Sequence, residues 1–194
     1  TPIHEFGEFK LIEHLTADFP LQNDWVRKGV GDDAAVYAVG NGDVHVVSTD
    51  LLAEMVHFDL TYVPLQHLGY KSVVVNLSDI YAMNARPFGV TVSVAMSNRF
   101  TVEAMDAFYA GVRRACKEYG IDLLGGDTSA STSGLVISVT ALGKCKEDEV
   151  VYRSTARQND LICLTGNVGA AYAGLQVLER EKSVLMQNPD VQPD

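Results

Sequence analysis

A chain of 194 residues, 47% of them hydrophobic, is long enough to bury a core and too apolar for a disordered segment. Its formal net charge of −10 argues against a nucleic-acid or anionic-membrane partner, which would want a basic face, and suits a protein that gathers carboxylates around cations. Three isolated cysteines (Cys116, Cys145, Cys163) argue against a disulfide framework or a zinc knuckle, and no apolar run is long enough to span a bilayer; the expectation is a soluble, cytoplasmic protein.

In chain order, "EFKLIEHLTADF" (8–19) carries Leu11, Ile12 and Leu15 at helical spacing. "GVGDDAAV" (29–36) follows, two aspartates between a glycine pair and an apolar run. "DVHVVSTD" (43–50) reads as a β-branched strand, residues 65–83 as a helix, and "FGVTVSVAM" (88–96) as a second strand. "TVEAMDAFYAGVRRACKEYG" (101–120) is the clearest helix, with Thr101 to cap its start and Gly120 to end it. "IDLLGGDT" (121–128) reads as a strand running into a glycine turn, and "GLVISVTAL" (134–142) as a strong strand. The mixture predicts a layered α+β or α/β domain over residues 1–145.

The polar stretch 143–160 reads as a connection with one short strand inside it. "LICLTG" (161–166) and "NVGAAYAGLQVLERE" (167–181) then predict a strand, a small-residue turn and a helix. That unit cannot bury its own apolar faces, so it reads as the opening of a second domain, followed by the polar tail "QNPDVQPD".

The acids occupy similar settings. Asp32 and Asp33 follow a glycine turn, Asp50 follows Ser48 and Thr49 at a strand end, and Asp127 follows Gly125 and Gly126. Asp79 stands in an apolar helix with Asn76 three residues back on the same face. A carboxylate in apolar surroundings is costly unless it is paired or holds a metal, and carboxylates with hydroxyls suit Mg²⁺. Mg²⁺ points to a phosphorylated substrate, yet the chain has neither a G-x-x-x-x-G-K-[ST] loop nor a G-x-G-x-x-G fingerprint. A nucleotide here must lean on metal-bridged phosphates.

"GVGDDAAV", "VSTDLLAEMVHF", "VNLSDIYAMNARP" and "LLGGDT", in that order, resemble the thiamine-monophosphate kinases, as do "GEFKLI" and "YRSTARQNDLICLTG". That family belongs to an ATP-binding superfamily with aminoimidazole ribonucleotide synthetase and selenophosphate synthetase. The resemblance implies a mixed or antiparallel sheet covered by helices on one face, then an incomplete second α/β domain. It divides the chain into an N-terminal ATP- and Mg-binding dimerisation domain (1–145), a connection (146–160) and the start of a truncated C-terminal domain (161–194). It implies metal ligation by Asp33, Ser48, Thr49, Asp50, Asp79 and Asp127, substrate contact by His57, and ATP contact by Gly126, Asp127, Arg153 and Tyr109. On residue pattern alone, His57 fits a core histidine and Tyr109 belongs to the apolar stripe of its helix. Similar proteins usually have glycine where Met55 and Asn84 stand.

The implied reaction is Mg-assisted, in-line transfer of the ATP γ-phosphoryl to thiamine monophosphate by a homodimer, with no general base and little turnover by the truncated chain. Two rivals stand beside it. One is another superfamily activity, of ribonucleotide cyclo-ligase or selenophosphate synthetase type; the latter is disfavoured because no cysteine precedes Cys116. The other is a non-catalytic Mg-nucleotide-binding dimerisation module.

Overall fold

The computed structural model describes residues 2–187. Two short helices, α1 (Ile3–Phe6) and α2 (Glu8–Thr16), precede strands β1 (Val26–Lys28), β2 (Ala35–Gly40) and β3 (Asp43–Ala53). Helix α3 (Leu65–Ala82), strand β4 (Arg86–Met96), helix α4 (Val102–Tyr119), and strands β5 (Asp122–Ala130) and β6 (Leu135–Lys146) follow, then helix α5 (Ala170–Gln187). The strands form one sheet in the order β1-β2-β3-β6-β4-β5. Every pairing is antiparallel except β4 with β5, which α4 connects as a parallel crossover.

Strand alternation decides where the core lies. On β3 and β6, Val44, Val46, Leu135, Ile137, Val139 and Ala141 are buried on one face, which α3 and α4 cover with Leu68, Leu77, Ile80, Phe108 and Val112. The opposite face carries Val47, Thr49, Leu51, Thr91, Ser93, Ser138 and Thr140, and stays partly or fully open. This is the expected α+β sheet covered by helices on one face.

The helix boundaries follow local chemistry. The Thr101 side chain accepts from the Ala104 N–H at 3.2 Å, and Gly120 closes α4 in a left-handed conformation. Asn84 ends α3 at φ 58°, where the Ala85 N–H returns to the Ile80 carbonyl at 3.1 Å. Its side chain also donates to the Glu149 carbonyl at 2.9 Å. Met55 holds φ 67° in the turn after β3. The two places where similar proteins usually have glycine are thus places where the backbone is left-handed, a cost that Asn tolerates better than Met.

Three expectations are corrected. "GGDT" is no turn: β5 runs straight through it, and Gly126 is bare because a Cβ there would lie 1.8 Å from the Val92 carbonyl oxygen. Instead of a strand, residues 143–160 carry the end of β6 and two 3₁₀ turns, Glu147–Glu149 and Arg153–Thr155. "LICLTG" forms no strand among the described residues, because no strand lies alongside to satisfy its backbone; Ile162 is fully exposed. Two short elements, α1 and β1, were not expected.

Helix α5 docks on the loop after β3. Tyr62 Oη donates to Glu179 Oε1 at 2.6 Å, and Lys182 pairs with Asp59. That ammonium, with two bonds from Thr61, holds the Asp59 carboxyl down to about 2.

Helices α3 and α4 meet through glycine. A Cβ on Gly111 would fall 1.9 Å from the Gln66 carbonyl oxygen, and one on Gly69 2.0 Å from that of Phe108. Neither neighbour is a side chain that can swing away. Gly111→Ala is expected to lower unfolding free energy by about 2 kcal/mol in urea titration, overpacking outweighing the helix-propensity gain of roughly 1 kcal/mol. An unchanged or higher midpoint would show that the helices can separate freely.

Candidate metal and nucleotide site

The turn before β2 is organised by Asp32. Its side chain is wholly buried; Oδ1 accepts from the Asp33 N–H at 3.0 Å and from the Arg153 N–H at 3.3 Å. Its Oδ2 is buried with no hydrogen-bond partner. Arg153, in the second 3₁₀ turn, places Nε 3.7 Å from Asp32 Oδ1 and pairs through its other end with Asp33.

Strand β3 supplies the next groups. Ser48 and Asp50 share the helix-covered face, and Ser48 Oγ donates to Asp79 Oδ2 at 2.6 Å. The Asp50 N–H donates to Asn76 Oδ1 at 3.0 Å, while Asn76 Nδ2 donates to the Ser72 carbonyl at 2.9 Å. Burial pushes the Asp79 carboxyl above its ordinary range, and the charges of Asp50 and Asp33 push it further; the Ser48 bond and Arg153 oppose them. Asp33, Asp50, Asp79 and Arg153 therefore share one electrostatic neighbourhood.

Two expected ligands lie elsewhere. Thr49 points to the open face, where its hydroxyl donates to the Val139 carbonyl at 3.1 Å and accepts from Thr140 at 3.1 Å. Asp127 lies on β5, the far edge of the sheet, where it pairs in register with Ser93 of β4. Three strand spacings separate β5 from β3, about 14 Å. Gly126 is its neighbour there, facing Val92.

Tyr109 is half-buried on α4, its ring edge-on to Phe108 at 5.4 Å and its hydroxyl pushed up by burial. It packs against the core, as the stripe reading expected. His57 is no core residue: it is exposed in the turn after β3, where its Nδ1 accepts the Ala53 N–H at 3.0 Å.

Two cavities flank these groups. One of about 550 Å³ lies beside Arg153, with Phe9, Phe19 and Leu21 as apolar wall and Arg27 and Lys28 as cationic rim. The other, about 800 Å³, brings His57, Tyr62 and Lys71 against Tyr172 and Leu175 of α5. Nothing in the spacing marks Lys71, because its place there depends on how the 54–63 loop folds back over α3.

The donor set fits Mg²⁺. Carboxylates and a hydroxyl are hard oxygen ligands, Asp79 carries more negative neighbours than its one guanidinium offsets, and Asp32 Oδ2 is an orphaned buried acceptor. Among the described residues, no three or more His, Cys, Asp or Glu side chains stand close enough together to hold a metal ion by themselves.

Residues 31–145 match the family described as AIR synthase related protein, N-terminal domain, and the chain belongs to it. Curated relatives include proteins named thiamine-monophosphate kinase. The Bacillus subtilis protein of that name is 37% identical over 187 residues, which cover 96% of this chain and 57% of that protein. A structure of AaThiL complexed with AMPPCP and TMP superposes with a TM-score of 0.81 at 31% identity, covering 100% of this chain and 57% of the other. Thiamine monophosphate kinase from Aquifex aeolicus gives 0.74 at 30% identity, covering 100% of this chain and 58% of its own. The chain thus spans little more than half the length of these relatives.

A raised carboxyl pKa means that the folded state disfavours the charged form. Its stabilising side is present below the ordinary carboxylate range and is lost as pH rises through the folded value. Asp79→Asn, which keeps an acceptor for Ser48, is therefore expected to raise the urea midpoint of the metal-free chain at pH 7. The gain should shrink as pH falls to 4. Destabilisation at pH 7 would contradict this charge balance.

Proposed function

We propose that this chain is the nucleotide- and metal-binding half of an enzyme that transfers the ATP γ-phosphoryl to thiamine monophosphate, yielding thiamine diphosphate. The observation that carries the reading is that Asp79 feels the charges of Asp50, Asp33 and Arg153, with Arg153 paired to Asp33. Relatives named thiamine-monophosphate kinase, and one bound to AMPPCP and TMP, support the choice of substrates.

Asp33, Asp50, Asp79 and the Ser48 hydroxyl would hold Mg²⁺, with Asp32 fixing the turn beside them. The metal, when bound, would supply charge neutralisation for the polyphosphate. The remaining work falls to protein groups. Arg153 offers a planar fork to a phosphate. His57 accepts from Ala53 on Nδ1, so its neutral ring carries the proton on Nε2 and presents a donor. A phosphate monoester loses its second proton near a pKa of about 6, so the acceptor needs no strong base. Two anions about 4 Å apart repel by roughly 4 kcal/mol at an effective dielectric near 20, which cations must offset.

Residues 1–145 act in this reading as the ATP, Mg²⁺ and dimerisation domain, and residues 161–194 open a second one. The open sheet face and the wholly exposed β5 edge are the surfaces through which two copies pair. Pairing gives Asp127, Gly126 and Thr49, remote from the cluster within one chain, a route to the nucleotide. No helix among the described residues is long and apolar enough to cross a membrane, which fits a cytoplasmic enzyme.

The test is chromatographic. The native protein containing this chain should convert thiamine monophosphate and ATP to thiamine diphosphate and ADP only with Mg²⁺, and Asp50→Asn should cut the rate at least 100-fold with its fold intact. Turnover of an aminoimidazole precursor or selenide instead would reassign the substrate within the superfamily. Mg-ATP binding without any product would favour a binding module.

A further inference from the structure

We propose that Lys71 is a positioning residue for the phosphate acceptor, fixing the His57 turn so that the imidazole donor faces the cavity shared by that turn, α3 and α5. The inference rests on the acceptor assignment above but adds a residue that the family motifs do not mark.

Three observations converge. Lys71 Nζ donates to the His57 carbonyl at 3.0 Å, tying the turn after β3 to the first half of α3. Within the turn the His57 and Val56 N–H groups reach the Ala53 carbonyl at 2.9 and 3.2 Å and the Met55 N–H the Phe58 carbonyl at 2.8 Å, while Glu54 ties its start to Leu135; the Lys71 bond is the one that joins the His57 carbonyl to α3. It also includes the left-handed Met55, a strained position that the bonds around it must hold. Finally, Lys71 and His57 line one cavity of about 800 Å³ whose other walls include the rings of Tyr62 and Tyr172.

That volume lies in the range that encloses a drug-sized molecule. Its lining combines two nitrogen-bearing side chains, Lys71 and His57, with aromatic and aliphatic residues. Such a site takes a phosphomonoester with a heteroaromatic body. An ammonium has three donors, and only one is spent on the His57 carbonyl. The orientation of the imidazole is set twice, through Ala53 at Nδ1 and through Lys71 at the backbone. Releasing the second restraint lets the turn rotate and lets the ring exchange tautomers.

Two readouts test this in the native protein and its Lys71→Met and Lys71→Arg variants. The first is imidazole ¹⁵N NMR of ligand-free protein. Wild type and Lys71→Arg should show His57 in the Nε2–H tautomer, and Lys71→Met a mixture. The second is steady-state kinetics. Lys71→Met should raise KM for thiamine monophosphate by about ten-fold or more, the loss expected for one charge-assisted bond. KM for ATP should not move, and Lys71→Arg should recover most of the loss. An unchanged His57 tautomer, or KM values for both substrates rising together, would overturn the proposal. If the tautomer shifts in Lys71→Met while wild type does not use thiamine monophosphate, the Lys71–His57 coupling stands and the substrate assignment falls.

Discussion

The candidate site depends on one buried side-chain amide. Asn76 is fully enclosed on α3, its oxygen taking the Asp50 N–H and its nitrogen bonding back to Ser72 one turn earlier. A buried amide left unpaired costs about 1–3 kcal/mol, so this pair of bonds is strongly enforced. It fixes the end of β3 against the middle of α3. Asp79 lies less than one helical turn further on, and Ser48 two residues earlier on the strand, so the 2.6 Å Ser48–Asp79 bond follows from the same clamp. The loop carrying His57 begins where that strand stops, and Lys71 stands at the near end of the same helix. These two elements thus place Asp50 and Asp79 of the acid cluster and bring Lys71 to the proposed acceptor cavity, which α5 completes.

Charge explains why the cluster is open. Like charges raise one another's pKa, and Asp79 shows that effect together with its burial. Arg153 offsets part of it by pairing with Asp33 while its backbone anchors to Asp32. A single guanidinium cannot neutralise three carboxylates. The remaining negative field is what a divalent cation would answer in the proposed reaction. Were a cation to take Asp33, the Arg153 guanidinium would be free to meet a phosphate, while the backbone bond to Asp32 would hold residue 153 in place.

Much of the fold was legible because its signals are local. The cap at Thr101, the glycine at Gly120 and the apolar alternation of β3 and β6 each follow from a few neighbouring residues; they give α4 nearly to the residue and the starts of the central strands, which run on to Ala53 and Lys146 past the ends that the pattern marks. The acids of the cluster were legible too, since Asp50 and Asp79 break otherwise apolar patterns. What the sequence could not show is strand order. Asp127 reads like Asp50, a carboxylate at a strand end, yet three strand spacings separate their strands. Thr49 reads like Ser48, yet alternation turns it to the other face. The glycines of β5 read as a turn because their cause, the close approach of Val92, lies on another strand. "LICLTG" has strand composition but no strand beside it, and composition alone does not make a strand.

The central claim is that Asp33, Asp50 and Asp79 form one field suited to a divalent cation. Thermal unfolding of the nucleotide-free chain in MgCl₂, against NaCl at matched ionic strength, tests it most directly. The account predicts a rise in Tm specific to Mg²⁺ that saturates with concentration and disappears in Asp50→Asn. An equal shift in both salts, or an Mg²⁺ effect that survives Asp50→Asn, would mean that the carboxylates are only a solvated acidic surface.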